Sequence, residues 1–281
     1  MPEVPELIEA YAADLKKRGA IKSAAVERAF RRVPRHRLVE GFYVEDEKGE
    51  CQYGGRRLSR RKFDPNAPDP DLLKLVYSDT ALVTRTDPPS SSSQPYLVAD
   101  MIEILELGEG MNVLEIGAGT GYNAALIQEI VGEGGRVTTL DIQEDVVGQT
   151  QRLLRAAGYG RIEVIAKDGA LGHAENAPYD RIVATVGCPD ISWRWVEQMD
   201  ERGFMLIPLQ HGGEGFDPLT RIWQEEGRLM GRFVGWSGFM SIRGELEVEQ
   251  PLSFENQDLA DPPRAEFPLA SISEEWGDLL G

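Results

Sequence analysis

The stretch Asn112-Val113-Leu114-Glu115-Ile116-Gly117-Ala118-Gly119-Thr120-Gly121-Tyr122-Asn123 constrains this chain more than any other. A short apolar run carrying an acid, glycines at alternate positions and then Ala124-Ala125-Leu126-Ile127 spell a strand, a tight loop and the start of a helix. Such a loop holds a ligand against bare backbone. Dinucleotide-binding loops need Gly-x-Gly-x-x-Gly so that a pyrophosphate can rest on the helix N-terminus. Here the pattern is Glu-x-Gly-x-Gly-x-Gly, with Tyr122 where the third glycine would fall, and an acid before the loop repels phosphate. It suits a ligand with a cationic amino-acid end, and S-adenosylmethionine carries an ammonium, a carboxylate and a sulfonium but no phosphate. A second acid agrees: the run Val137-Thr138-Thr139-Leu140 ends at Asp141, where a carboxylate at the tip of the next strand takes both hydroxyls of a ribose. The plain alternative is a glycine-rich turn that binds nothing, and the placement of Asp141 counts against it.

The 281 residues suffice for one large domain or one domain with an appendage, and a hydrophobic content of 41% is ample for a buried core. The formal net charge is -17, which disfavours a general nucleic-acid surface because phosphate binding needs a basic face. Met1-Pro2-Glu3-Val4-Pro5-Glu6 lacks the basic and apolar regions of a secretory leader, and no apolar run is long enough to span a bilayer; a cytoplasmic protein that engages no membrane is expected. Cys51 and Cys188 lie far apart without a Cys-x-x-Cys, so neither a disulfide framework nor a metal site is expected.

Taken in order, Glu6 to Arg18 has apolar residues at helical spacing, and a second helix follows from Ser23 until Val33-Pro34 breaks it. Between Glu45 and Asp71 the chain turns polar, with Gly54-Gly55 and three prolines, and an inserted loop that caps something is expected. It carries Arg56, Arg57, Arg60, Arg61 and Lys62, either a solvated loop or a docking patch for an acidic substrate. Ala81 to Thr84 reads as a short strand. Ser90 to Ser93 precede the amphipathic run Leu97 to Leu105, and hydroxyls with free N–H groups at the mouth of that helix make an anion seat. Strands at 112–116, 137–141, 163–166 and 179–187 alternate with helices at 122–131 and 144–157. That alternation demands a mostly parallel, doubly wound sheet with ligands at the carboxyl ends of its strands. Asp168, at such an end, is placed to accept from an adenine amino group, unless it is simply a turn aspartate before Gly169. Segments 204–209, 220–224 and 231–235 add an antiparallel edge, and beyond Arg243 the chain is acidic and proline-containing. The expected organisation is an N-terminal helical region over 1–84, with its insert at about 45–71, a methyltransferase domain over 85–243, and an extension over 244–281.

Together these motifs resemble the protein-L-isoaspartate (D-aspartate) O-methyltransferase family. The resemblance is carried by Arg32-Val33-Pro34-Arg35, Ser93-Gln94-Pro95-Tyr96 with Val98-Ala99, the glycine loop, Asp168-Gly169 with Gly172, and Ala177-Pro178-Tyr179-Asp180-Arg181-Ile182. It implies a Rossmann-like S-adenosylmethionine-dependent fold, with S-adenosylhomocysteine as the spent cofactor. It implies that Ser93 lies beside the reacting carboxylate, with Ser92 and Ser91 as neighbours that could help. It also implies a cofactor site formed by Glu115, Gly117, Ala118, Gly119, Gly121, Asp141, Ile142, Asp168, Gly169 and Thr185. The Ser91-Ser92-Ser93 run, the insert and Gly238 to Arg243 depart from the family's usual pattern. Such features are similar to those of actinobacterial relatives that methylate an aspartate of a ribosomally made peptide, whose ester then collapses to an aspartimide.

A carboxylate, with an ordinary pKa near ~4, is already ionised at neutral pH and needs no general base, so the scarcity of histidine is no objection. His36, His173 and His211 are expected in surface or loop positions without a role. The expected partner is a polypeptide bearing an aspartyl or isoaspartyl residue, an acidic precursor peptide among the candidates. General isoaspartate repair, methylation of a small-molecule acid and a catalytically silent cofactor-binding module stay open as alternatives.

Overall fold

The computed structural model describes residues 4–211 and 216–248; most of the expected acidic extension lies outside the described residues. Helices α1 (Val4–Lys17) and α2 (Ala24–Arg32) form where the apolar spacing calls for them. The Ser23 hydroxyl caps α2 by accepting from the Val26 N–H at 3.2 Å. The segment expected as a capping loop is instead an antiparallel sheet. Strands β1 (Gly41–Glu45), β2 (Cys51–Tyr53) and β3 (Arg56–Lys62) lie in the order β1-β3-β2. The pair Gly54-Gly55, both at positive φ, makes the two-residue turn that joins β2 to β3. Because side chains alternate across a strand, the five basic residues fall on both faces of β3: Arg56, Arg60 and Lys62 on one, Arg57 and Arg61 on the other. They do not make a single patch.

Helix α3 (Pro70–Val76) follows, capped by Asp69. Strand β4 (Leu82–Thr86) then pairs with β5 (Pro89–Ser92), so the serines form a strand, and the boundary drawn at residue 84 falls inside β4. Helix α4 (Pro95–Ile104) opens on Pro95, and its Tyr96 N–H is taken by Asp79 Oδ1 at 2.8 Å. A carboxylate of the chain therefore already fills the anion seat expected there. Next come β6 (Asn112–Ile116), α5 (Tyr122–Val131), β7 (Arg136–Asp141), α6 (Glu144–Ala156), β8 (Glu163–Ala166), β9 (Tyr179–Ala184) and the short α7 (Trp193–Gln198). Strands β10 (Met199–Pro208), β11 (Asp217–Glu225) and β12 (Arg228–Ser237) are the last strands among the described residues.

The main sheet has the order β12-β11-β10-β9-β6-β7-β8. Its neighbours are parallel from β10 to β8, and β11 and β12 are antiparallel. This is the mostly parallel, doubly wound α/β architecture expected, antiparallel edge included. Val113, Leu114, Glu115 and Ile116 of β6 are all buried because both faces of the sheet are covered, which is why this strand reads as a run rather than an alternation. On one face α1, α2, α4 and α5 share a core in which the rings of Tyr11, Phe30 and Tyr122 meet, so the N-terminal helices are continuous with the sheet's own core. On the other face Trp195 is wholly buried. Its indole N–H donates to Gly169 O at 2.8 Å and fixes the loop after β8. The chain order reverses between β6 and β9, which opens a crevice at their carboxyl ends.

His36, expected in a surface or loop position, is buried, and so is the motif residue Arg35. His36 lies against Tyr77, with Nδ1 2.5 Å from its hydroxyl, and burial lowers its pKa to about 4, so it is neutral. Arg35 is fully enclosed, and its guanidinium donates to five carbonyls and one hydroxyl: Val76, Ser78, Thr80, Ser92 and Ser93 O, and Ser92 Oγ. One cation thus ties the Arg35 corner, the loop after α3 and the end of β5 together. Arg35→Met would leave these carbonyls without their donor, and we expect a loss on the order of 3 kcal/mol or more in urea unfolding. An unchanged unfolding midpoint would contradict this role.

Candidate active site

The crevice is a cavity of about 600 Å³. Its floor is the loop after β6, its far wall the tip of β7, and it is flanked by β5 with the start of α4 and by residues 238–243 after β12.

The glycine loop has little hydrogen-bonding capacity to spare for a phosphate. The N–H groups of Gly117 and Ala118 both donate to Leu140 O, at 2.8 and 2.9 Å, and that of Gly121 donates to Ala118 O at 2.8 Å. The Gly119 N–H donates to Asp141 Oδ2 at 3.2 Å. The loop therefore offers shape more than an anion nest, as the phosphate-free ligand inferred from its spacing requires. Gly119 needs to be glycine twice over. Its φ is +49°, and a Cβ there would come within 2.8 Å of Ser91 O, because β5 lies directly on the loop.

Two carboxylates face this floor. Glu115 stands in register with Thr139 of β7, whose hydroxyl donates to one of its oxygens at 2.6 Å, while Asn123 Nδ2 donates to the other at 2.6 Å. Burial pushes its pKa up to about 7, against the opposing pull of those two bonds. Asp141 accepts from the N–H groups of Gly119 and Gln143, and burial raises its pKa despite them. Each carboxylate oxygen retains a lone pair for a ligand. Ile142 beside it is 40% exposed inside an otherwise well-covered region, an apolar surface for a flat ring. The buried Gln143 Oε1, also on the cavity lining, has no hydrogen-bond partner among the described residues. An acid-and-apolar wall with one orphaned acceptor fits an adenosyl group bearing an amino-acid end. Thr185 donates to Gly117 O at 2.7 Å and braces the loop from behind, and Gly169 lines the cavity near Ile116.

The three serines are not equivalent. Along β5, which ends at Ser92, side chains alternate, so Ser91 points opposite to Ser92, and Ser93 follows just beyond the strand on the cavity lining. Ser92 is 2% exposed and its hydroxyl accepts from Arg35 Nε at 3.4 Å, which makes it part of the wall behind the cavity. Asp168 also differs from expectation. It is absent from the cavity lining; Oδ1 accepts from the Ala170 N–H at 2.9 Å and Oδ2 from the Glu245 N–H at 2.7 Å. It is the turn aspartate, and it anchors the segment after β12 as well. Gly244 packs so closely on its carboxylate, at φ +96°, that a Cβ would collide with it.

That segment is the part of the site sequence reasoning missed. The Gly187 N–H donates to Met240 O and the Ile242 N–H to Gly187 O, both at 2.8 Å, so residues 240–242 run beside the end of β9 like a short extra strand. They bring Phe239, Ser241 and Arg243 to the cavity. Tyr53, at the tip of the β2–β3 hairpin, and Trp236 border it too. No local pattern marks these residues as neighbours; only Asn123, which holds Glu115, carried a readable signal, its place in the first turn of α5.

The family model described as "Protein-L-isoaspartate(D-aspartate) O-methyltransferase (PCMT)" matches residues 57–243. The chain is similar to protein-L-isoaspartate O-methyltransferase 2 of Archaeoglobus fulgidus, at 39% identity over 213 residues, covering 75% of this chain and 93% of the relative. It is also similar to the protein-L-isoaspartate O-methyltransferase of Methanococcoides burtonii, at 38% identity over 191 residues, or 68% and 90% of the two chains. Among solved structures, one protein-L-isoaspartate O-methyltransferase superposes with a TM-score of 0.69 at 29% identity, covering 85% of this chain and 67% of that one. A Plasmodium falciparum structure, a putative enzyme of the same description in complex with S-adenosyl-L-homocysteine, gives a TM-score of 0.65 over 86% and 99% of the chains. At 16% identity that likeness is one of fold.

The raised pKa of Glu115 has a measurable consequence. An ammonium beside the carboxylate favours its ionised form, so binding below neutrality releases a proton. The affinity for S-adenosylhomocysteine should rise roughly tenfold between about pH 5.5 and about pH 7 and then level off, whereas Glu115→Gln should give a flat profile. A parent profile as flat as the variant's, by calorimetric titration across pH, would contradict a cation at this carboxylate.

Proposed function

This chain belongs to the protein-L-isoaspartate(D-aspartate) O-methyltransferase family, and on that footing we propose how its residues carry the family's reaction and what it acts on. The chain is an S-adenosylmethionine-dependent (iso)aspartate O-methyltransferase. When bound, the cofactor supplies an electrophilic methyl group on a sulfonium.

Asp141 would hold the ribose hydroxyls and Ile142 would cover the adenine, while Glu115 would balance the charge of the amino-acid end. Gly117, Ala118, Gly119 and Gly121, braced by Thr185 and joined by Gly169, shape the floor. With the cofactor bound, the substrate carboxylate would be held for in-line attack: one of its oxygens would form the bond to the methyl carbon as the carbon–sulfur bond breaks, giving S-adenosylhomocysteine and a methyl ester. No proton moves, so the chain's task is alignment and exclusion of water. Ser93, with Ser91 also on the cavity lining, donates to the carboxylate oxygen that does not react. The observation that carries this assignment is the contact of β5 with the glycine loop, which sets an acceptor-side strand against the donor-side floor.

The finer proposal is a dedicated peptide substrate. Its aspartyl methyl ester would be attacked by the following backbone nitrogen, forming the ring C–N bond of an aspartimide and releasing methanol. Two features support it. The matched family segment begins at Arg57, so β1, β2 and the hairpin tip lie outside that match. Tyr53 of that tip borders the cavity mouth. The names of the relatives favour general repair of isoaspartyl proteins. Cys51 and Cys188 are free thiols, which suits the reducing cytoplasm, where we place the enzyme.

Incubation with S-adenosylmethionine and either an isoaspartyl test peptide or an aspartyl precursor, followed by mass spectrometry, separates the two. Methyl gain on the test peptide means repair, and methyl gain followed by net loss of water on the precursor means tailoring; no methyl on any peptide contradicts both. On whichever peptide is turned over, Ser93→Ala should lower kcat roughly 10–100-fold, the worth of one hydrogen bond to a charged group, with S-adenosylhomocysteine affinity unchanged. Full turnover by this variant would remove Ser93 from the mechanism.

A further inference from the structure

Three large aromatic side chains stand out of the surface together beside the cavity. Phe216 is 67% exposed, Trp236 55% and Phe233 42%. The register of the β11–β12 hairpin places them on one face. Pro218 lies opposite Trp236 and Thr220 opposite Phe233, the irregularity between Leu219 and Thr220 absorbing the extra residue of β12. Without that bulge Phe233 and Trp236 would point to opposite faces; with it their rings meet edge to face at 5.0 Å. The ledge is braced from within. Ser237 is buried and donates to Asp217 O at 3.1 Å, and Gly238 lies so close beneath Phe216 that a Cβ would sit 3.1 Å from its ring. Phe216 and Trp236 border the cavity, and so does Tyr53 on the two-glycine hairpin tip.

Apolar surface of this size, built in one place and continuous with a substrate site, is the mark of a recognition surface. A polypeptide that delivers a carboxylate to Ser93 enters through the mouth these residues border. We infer that the Phe216–Trp236 ledge, with Phe233 behind it and Tyr53 also at the mouth, is a specificity subsite for a bulky apolar or aromatic side chain flanking the acceptor aspartyl or isoaspartyl residue. The inference rests on the polypeptide-carboxyl reading above and adds what that reading leaves open, the side chain next to the acceptor. A flat aromatic ledge takes such a side chain without demanding one sequence, because every ring or branched aliphatic group offers it a face.

The test uses the full chain and two synthetic isoaspartyl peptides, with a matching aspartyl pair, that differ only in carrying phenylalanine or serine beside the acceptor. Equilibrium binding is measured by anisotropy on enzyme saturated with S-adenosylhomocysteine, and KM is measured with S-adenosylmethionine. The phenylalanine peptide should bind roughly 5–10-fold more tightly and show a KM lower by the same factor, with little change in kcat. Trp236→Ala and Phe216→Ala should each bring that ratio toward one, whereas Trp193→Ala, an exposed tryptophan away from the cavity, should preserve it. A parent ratio near one, or a ratio that survives Trp236→Ala, overturns the subsite even if both peptides are methylated. A preserved binding preference with no methyl transfer supports the subsite and sinks the carboxyl-transfer reading instead.

Discussion

The site depends on one strand held from two sides. Behind β5 the Arg35 guanidinium takes the carbonyls of Ser92 and Ser93, and in front the glycine loop lies so close to Ser91 O that only a residue without a side chain fits at Gly119. Burying a cation is costly unless its donors are satisfied, and here five carbonyls and a hydroxyl satisfy them. A scaffold of this kind suits a reaction in which nothing is acidified or deprotonated. What the protein supplies is the position of two reactants, and the rigidity of the strand bearing the serines sets that position.

The electrostatics follow the same economy. The two acids on the cavity are raised in pKa by desolvation, Glu115 fully buried beneath Asn123 and Thr139 and Asp141 partly buried at the tip of β7. A cavity prepared this way favours a cationic guest over an anionic one. The loop N–H groups that bind pyrophosphate in dinucleotide folds are turned inward here to Leu140, Ala118 and Asp141.

Much of the fold was legible because the elements around the loop are governed by local rules. The bounds of β6, α5 and β8 are those the apolar runs, the glycines and the turn residues imply, and Glu226-Gly227, both at positive φ, make the two-residue turn of the antiparallel edge between β11 and β12. The insert was misjudged because its composition is that of a loop, yet β-strands at a surface can be this polar when one residue, here Leu58, is buried. Helix α7 has too few residues to show a period, although its Trp195 is among the most buried side chains. At the site, Glu115, Gly119 and Asp141 declared themselves through spacing, whereas Asp168 was ambiguous: an acid before glycine serves a turn as well as a ligand, and the Glu245 N–H that settles its place is seventy-seven residues away in sequence. Arg35 was noticed as a motif residue, but its burial follows from contacts that no local pattern encodes.

The central claim is geometric: the cofactor's sulfur would lie over the glycine loop, facing β5 and the Ser93 that follows it. A crystal structure with S-adenosylhomocysteine and an isoaspartyl peptide measures it directly. The expected result is a ribose within hydrogen-bonding reach of Asp141, an adenine on Ile142, and the peptide carboxylate between the sulfur and the Ser93 hydroxyl. A sulfur turned away from β5, or a ribose held by groups other than Asp141, would contradict the account.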